Sequence, residues 1–111
     1  MNACRTVMLY STFASAEEAK RTVGLLLEER LIACANILPA GTSLYRWQGR
    51  ICEEPETIAI LKTDSARRDA AMARLKTLHS YETPAILAWP AEAVDPSWSA
   101  WLAESLGEAT N

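Results

Sequence analysis

Between Leu31 and Trp47 the chain reads Leu-Ile-Ala-Cys-Ala-Asn-Ile-Leu-Pro-Ala-Gly-Thr-Ser-Leu-Tyr-Arg-Trp. Ala33 to Leu38 is a small, apolar run that reads as a strand. Pro39-Ala40-Gly41 breaks or bends it, because proline has no N–H for a ladder and glycine weakens a strand. Thr42 to Trp47 continues in extended form, with Ser43, Tyr45 and Trp47 on one face. Gln48-Gly49 is then a tight-turn signal. A strand that bends and is turned back on itself requires a sheet, so the remaining segments have to supply partner strands and a cover.

They do so in a definite order. Thr6 to Ser11 reads as a first strand, with Val7 and Leu9 alternating against Met8 and Tyr10. Ser15-Ala-Glu-Glu18 is a capping box, in which the Ser15 hydroxyl accepts from the amide near Glu18 and Glu18 reaches back. The helix it opens carries Ala19, Val23, Leu26, Leu27 and Arg30 at helical spacing and closes on Glu28-Glu29-Arg30. Thr57 to Thr63 is the clearest strand, with Ile58, Ile60 and Lys62 on one face and Thr57, Ala59, Leu61 and Thr63 on the other. Asp64 or Ser65 is expected to cap a second helix, with Ala71, Leu75 and Leu78 on one side and an end near His79. Ala85 to Trp89 is a short last strand stopped by Pro90. Asp95-Pro96 opens a third helix, with Trp98, Trp101, Leu102 and Leu106 as its apolar side. Gly107 ends it, and Glu108–Asn111 is expected to be a frayed tail.

The order β-α-β-β-α-β plus a terminal helix predicts an α+β, ferredoxin-like fold with an antiparallel sheet and a C-terminal helix. The 111 residues make it one domain, 1–111. In that fold both long helices cover the same sheet face. The Thr57–Thr63 strand is nevertheless apolar on both faces, so a second cover is required: the third helix or a partner subunit. The second favours an oligomer.

Charge and cysteines narrow the class. The net charge is −3, with no Lys/Arg run, which argues against nucleic acid as a partner. Cys4, Cys34 and Cys52 are an odd, widely spaced set without Cys-x-x-Cys, the pattern of reduced thiols in a cytosolic protein. The start lacks a signal peptide's apolar core, and no apolar run approaches the roughly 20 residues of a membrane span. A cytoplasmic protein with no membrane partner is expected.

Few residues carry recognisable chemistry. Cys34 offers a soft thiolate for copper, but Cys also packs as a small hydrophobe. His79 is the single histidine. It offers an imidazole for a divalent ion, or a cation at a helix C-terminus. One His and one Cys are too few for a closed site in one subunit, whereas an oligomer gathers copies or adds Glu82 or Tyr81. Tyr45, Trp47, Lys62 and Tyr81 are candidates for lining a cleft between subunits, either as a pocket for an anionic ligand or as part of an interface ion pair. No Gly-rich phosphate loop occurs. A Cys34 nucleophile with a His79 base lacks any orienting group, so an enzyme is not expected.

Four motifs together carry a family resemblance: Ala33-Cys-Ala-Asn-Ile-Leu-Pro39, Ser43-x-Tyr-x-Trp-x-Gly-x-Ile51, Lys62-Thr63 and His79-Ser-Tyr-Glu-Thr-Pro84. In order and spacing the chain resembles the CutA divalent-cation tolerance family from Val7 to Leu106. The resemblance implies a ferredoxin-like fold, a homotrimer built by edge-to-edge strand pairing, and a role in tolerance of copper or another divalent cation. It implies no enzymatic activity. The chain departs from the family pattern at Ser80, where proline is usual, and at Ser11-Thr-Phe13, where some relatives carry a copper-linked cysteine. The alternative is a trimeric signalling or scaffold module that binds a small effector in clefts between subunits.

Overall fold

The computed structural model describes residues 4–107. The expected tail Glu108–Asn111 lies outside them. The elements are β1 (Thr6–Phe13), α1 (Ala16–Glu28), β2 (Cys34–Trp47), β3 (Arg50–Asp64), α2 (Arg68–Leu78), β4 (Ile86–Pro90) and α3 (Pro96–Leu106). The four strands form one sheet in the order β2-β3-β1-β4, and every pairing is antiparallel. This is the ferredoxin-like arrangement that the element order predicts.

Side-chain parity divides the sheet into two faces. Val7, Leu9 and Phe13 of β1 and Ala59 and Leu61 of β3 point to one side. There they pack with Ala19, Val23 and Leu26 of α1 and Ala71 and Leu75 of α2. Thr22 joins the buried stripe of α1, whereas Leu27 is exposed. The other side carries Met8, Tyr10, Asn36, Leu38, Ile58, Ile60, Lys62, Leu87 and Trp89, in register across the four strands. There α3 covers one end only: Leu102 and Leu106 bury against Ala33, with Trp98 packed beside them. Leu38, Leu87 and Trp89 remain exposed.

Two strands run further than the alternation in the sequence indicates. β3 begins at Arg50 rather than Thr57, and β2 is continuous through Pro39. Only Thr57–Asp64 of β3 pairs with β1. The segments Gly41–Trp47 and Arg50–Glu56 pair with each other alone and form a two-stranded arm that helps stretch the molecule to 49 × 26 × 21 Å. The arm turns through Gln48 and Gly49, both at positive φ, as a two-residue primed hairpin turn requires.

The Pro39 break is a β-bulge rather than a strand end, with one residue more on β2 than on β3 between the Leu38–Ile58 and Gly41–Glu56 pairs. It inverts the parity of β2. Ser43, Tyr45 and Trp47 therefore share the open side with Asn36 and Leu38.

The helix ends follow local chemistry with two corrections. Ser15 caps α1 through the Glu18 amide, but the Glu18 carboxylate does not reach back. Instead it accepts from the Ser80 N–H at 3.1 Å. For α2 the N-cap is Arg67, which makes no side-chain cap bond. Asp64 instead accepts from the Arg67 amide one turn earlier and pairs with its guanidinium at 2.8 Å. The same guanidinium donates to the Leu106 and Gly107 carbonyls at the end of α3. Asp95 and Pro96 open α3 as expected. Among the described residues no helix is long and apolar enough to cross a membrane.

The bulge generates a paired prediction. Ala40 sits at φ 66°, a conformation that costs a residue with a Cβ about 1–2 kcal/mol. A Cβ on Gly41 would lie 2.9 Å from the Glu56 carbonyl oxygen. Ala40→Gly is therefore expected to raise the thermal midpoint, and Gly41→Ala to destabilise by about 1–3 kcal/mol. Equilibrium denaturation of the two variants checks the opposite signs.

Candidate functional site

A cleft opens on the uncovered side of the sheet at the base of the arm. Its volume is about 500 Å3, and its walls include Thr12, Tyr45, Trp47, Glu54, Glu56 and Tyr81. The bulge places Tyr45 and Trp47 there. Glu54 and Glu56 join them because Glu56 pairs with Gly41 and Glu54 with Ser43, in the same parity. Tyr81 enters from the connection between α2 and β4, and its hydroxyl donates to Glu56 at 2.8 Å.

His79 holds that connection in place. It is buried, stacked on Phe13 with centroids 4.6 Å apart and tilted against Tyr81 at 4.8 Å. Its Nδ1 accepts the Tyr81 backbone N–H at 3.1 Å. That bond assigns the ring proton to Nε2, which then donates to the Thr12 carbonyl at 2.8 Å. Both ring nitrogens are thus engaged within the chain. Ser80, standing where the family pattern expects proline, supplies the N–H that satisfies the buried Glu18 carboxylate. Proline has no such donor.

The other sequence candidates lie elsewhere. Cys34 pairs with Lys62 on the open face, whereas His79 stacks on Phe13 beneath the opposite face. Their rows, at Met8 and Phe13, are five residues apart along β1, about 17 Å. Cys34 and His79 therefore do not meet within one chain, either as metal ligands or as nucleophile and base. Burial pushes the Cys34 thiol pKa up, and the nearby Lys62 ammonium opposes that only in part. Lys62 is hydrogen-bonded to Asn36 and lines a separate hollow with Met8 and Trp98 under α3. Within one chain it is at the far end of the sheet from Tyr45, Trp47 and Tyr81. Glu82 is exposed beside α2 with Lys76 and Pro84. Among the described residues no three His, Cys, Asp or Glu side chains are gathered as a metal would need, so the donors of a single chain do not fit a closed site.

Glu54 and Glu56 were missed in the sequence. Their signal is the alternation Cys52, Glu54, Glu56, which becomes readable once the strand is extended back to Arg50.

An antiparallel ferredoxin-like sheet with a long hairpin arm and an aromatic cleft at its base defines a small α+β domain. The chain belongs to the CutA1 divalent ion tolerance protein family, whose model matches residues 7–105. It is 41% identical over 93 residues to the divalent-cation tolerance protein CutA of Thermus thermophilus, covering 83% of this chain and 90% of the relative. The Pyrococcus horikoshii protein of the same name is 41% identical over 98 residues, covering 88% and 95%. The crystal structure of divalent ion tolerance protein CutA1 from Ehrlichia chaffeensis superposes with a TM-score of 0.92 at 32% identity, over 96% of this chain and all of that one.

The cleft's electrostatics generate a pH prediction. Burial, then the Glu56 hydrogen bond and the charges of Glu56, Glu18 and Glu54, push the Tyr81 phenol pKa well above 10. A folded-state pKa raised above the unfolded one contributes stability that is complete below pH 10 and is lost as pH rises beyond it. Ultraviolet titration is expected to show at least one of the three tyrosines, Tyr81, resisting ionisation above pH 11 while the chain stays folded, with Tyr45 also raised by burial and by Glu54. In Glu56→Gln, Tyr81 is expected to ionise earlier. Three tyrosines ionising together near pH 10 in the folded protein would contradict this arrangement.

Proposed function

We propose that this protein acts in divalent-cation tolerance, with copper as the ion, and that it works as a homotrimer. The observation that carries the reading is family membership across almost the whole described fold. The assembly is supported by the open sheet face. Exposed Leu38, Leu87 and Trp89 adjoin half-buried Met8, Tyr10, Ile58 and Ile60, and a contiguous apolar area of this kind marks an interface. The edges of β2 and β4 are free of partners among the described residues and offer N–H and C=O groups to a second copy. Pairing one edge with the other is heterologous, and it closes into a ring when the rotation fits.

Copper binding on this reading draws on several chains, with Cys34, His79 and Glu82 as the donors proposed. Ligation by His79 has to displace one of its two internal bonds. A cytoplasmic location is supported by three free thiols at Cys4, Cys34 and Cys52. No catalytic role is assigned, since a thiol kept protonated by burial is a poor nucleophile.

Light scattering of the purified chain is expected to give a mass near three times 12.2 kDa; a monomer would overturn the assembly. Leu87→Asp is expected to lower the mass, because it puts a charge where an exposed leucine would gain about 1.5–3 kcal/mol on being covered by a second copy. Anaerobic copper titration of the wild type, Cys34→Ser, His79→Gln and Glu82→Gln is expected to show at least one variant binding about tenfold more weakly. Identical isotherms would remove all three donors.

One observation favours a second reading. A cleft of this volume with three aromatic walls suits a small organic molecule, as expected of a trimeric signalling or scaffold module that binds an effector. Thermal shifts with organic effectors but not with metals would favour it.

A further inference from the structure

Residues 80–84 join α2 to β4 without bonds of the regular kind. Among the described residues no backbone–backbone hydrogen bond involves them, and the pairing of β4 with β1 begins only at Ile86. Three side chains hold the segment instead. His79 accepts the Tyr81 N–H, Glu56 accepts the Tyr81 hydroxyl, and Glu18 accepts the Ser80 N–H. A stretch without ladder or helix bonds opens locally at little cost unless such ties restrain it.

The three ties differ in reach. The His79 bond spans two residues, and Glu56 is an exposed residue of the arm. Glu18 comes from α1, which packs on the covered face of the sheet. It is buried there in the first turn, in line with Thr22 and Leu26. A carboxylate in that position costs free energy unless it is bonded. It makes no cap bond to its own helix, and no ion pair among the described residues includes it. Its hydrogen-bond donor among those residues is the Ser80 N–H, and an amide-to-carboxylate bond is of the stronger, charge-assisted kind. The acid is thus accounted for by the connection and not by the helix that carries it.

We propose that Glu18 is a positioning residue for the cleft: from the covered side of the sheet it fastens the connection at Ser80 and so sets where Tyr81 stands in the wall on the open side. Whatever a second copy adds to the cleft, the Tyr81 wall is placed by this route. The proposal rests on the reading of the cleft as a binding site and extends it to a residue that does not line it.

Hydrogen exchange of the full-length protein, followed by mass spectrometry over residues 80–85, tests it. Glu18→Ala removes the acceptor, and Glu18→Asp withdraws it by one methylene while keeping the charge. Both are expected to speed exchange there about tenfold, with exchange in β1 and β3 unchanged. Glu18→Gln keeps an acceptor oxygen and is expected to stay within about threefold of the wild type. Glu17→Ala removes an equal first-turn charge at an exposed position and is expected to change nothing, which separates a tie to Ser80 from a charge on the helix. Near-ultraviolet circular dichroism is expected to lose aromatic signal in Glu18→Ala, as in Tyr81→Phe, and to regain it in Glu18→Gln. Light scattering on the same samples reports assembly; if Glu18→Ala alters the mass or fails to fold, Glu18→Asp and Glu18→Gln decide. Wild-type exchange in both Glu18→Ala and Glu18→Asp overturns the proposal. So does Glu18→Gln matching Glu18→Asp, or Glu17→Ala matching either. These measurements need no occupant in the cleft, so they decide the role of Glu18 even if the binding reading fails its own thermal-shift test.

Discussion

Strand β3 has two environments along its 15 residues, and the rest of the structure is arranged around that division. From Thr57 to Asp64 it pairs with β1, and from Ile58 to Lys62 with β2 as well, so both of its edges are occupied there. From Arg50 to Glu56 it has β2 alone. One parity runs through both halves. Thr57, Ala59, Leu61 and Thr63 face the helices and are buried. Ile58, Ile60 and Lys62 face the open side, and Glu54 and Glu56 continue that side into the arm. The apolar surface that needs a cover and the acidic wall of the cleft are thus consecutive stretches of one strand face.

The elements that announce themselves in the sequence do so through local chemistry. Ser15 and Asp95-Pro96 mark helix starts because the capping oxygen and the missing proline N–H act within one turn. Gln48-Gly49 marks the hairpin because its two positive φ values are a property of the turn itself. Arg50–Glu56 is silent for the opposite reason. Five of its seven residues are Arg, Glu or Pro, types with little strand preference, and its extended state is imposed by pairing across the arm. The cap of α2 was misplaced because Asp64 bonds the chain one turn before the helix, a difference that composition does not carry.

The site was legible by face but not by position. Period-two reading puts Tyr45 and Trp47 together, and Tyr81 comes to them through the segment around His79. Lys62 has the right parity, yet it lies at the other end of the sheet, because alternation gives a side chain's face and not its distance along the strand. Cys34 and His79 illustrate the same limit. Each is a plausible donor by type, and the fold sets them on opposite faces. Any chemistry they share requires copies of the chain to meet.

The bond between Ser80 and Glu18 has a consequence for descent. A carboxylate buried at the start of α1 and a backbone donor 62 positions later form one unit, and a proline at 80 would remove the donor while leaving the acceptor buried. That loss would cost about 1–3 kcal/mol, more than the roughly 0.4–1 kcal/mol a proline returns by stiffening the unfolded chain. The two positions are therefore not free to drift separately. A lineage that accepts proline at 80 must give position 18 another partner or another residue, and the pair should change together wherever this fold is inherited.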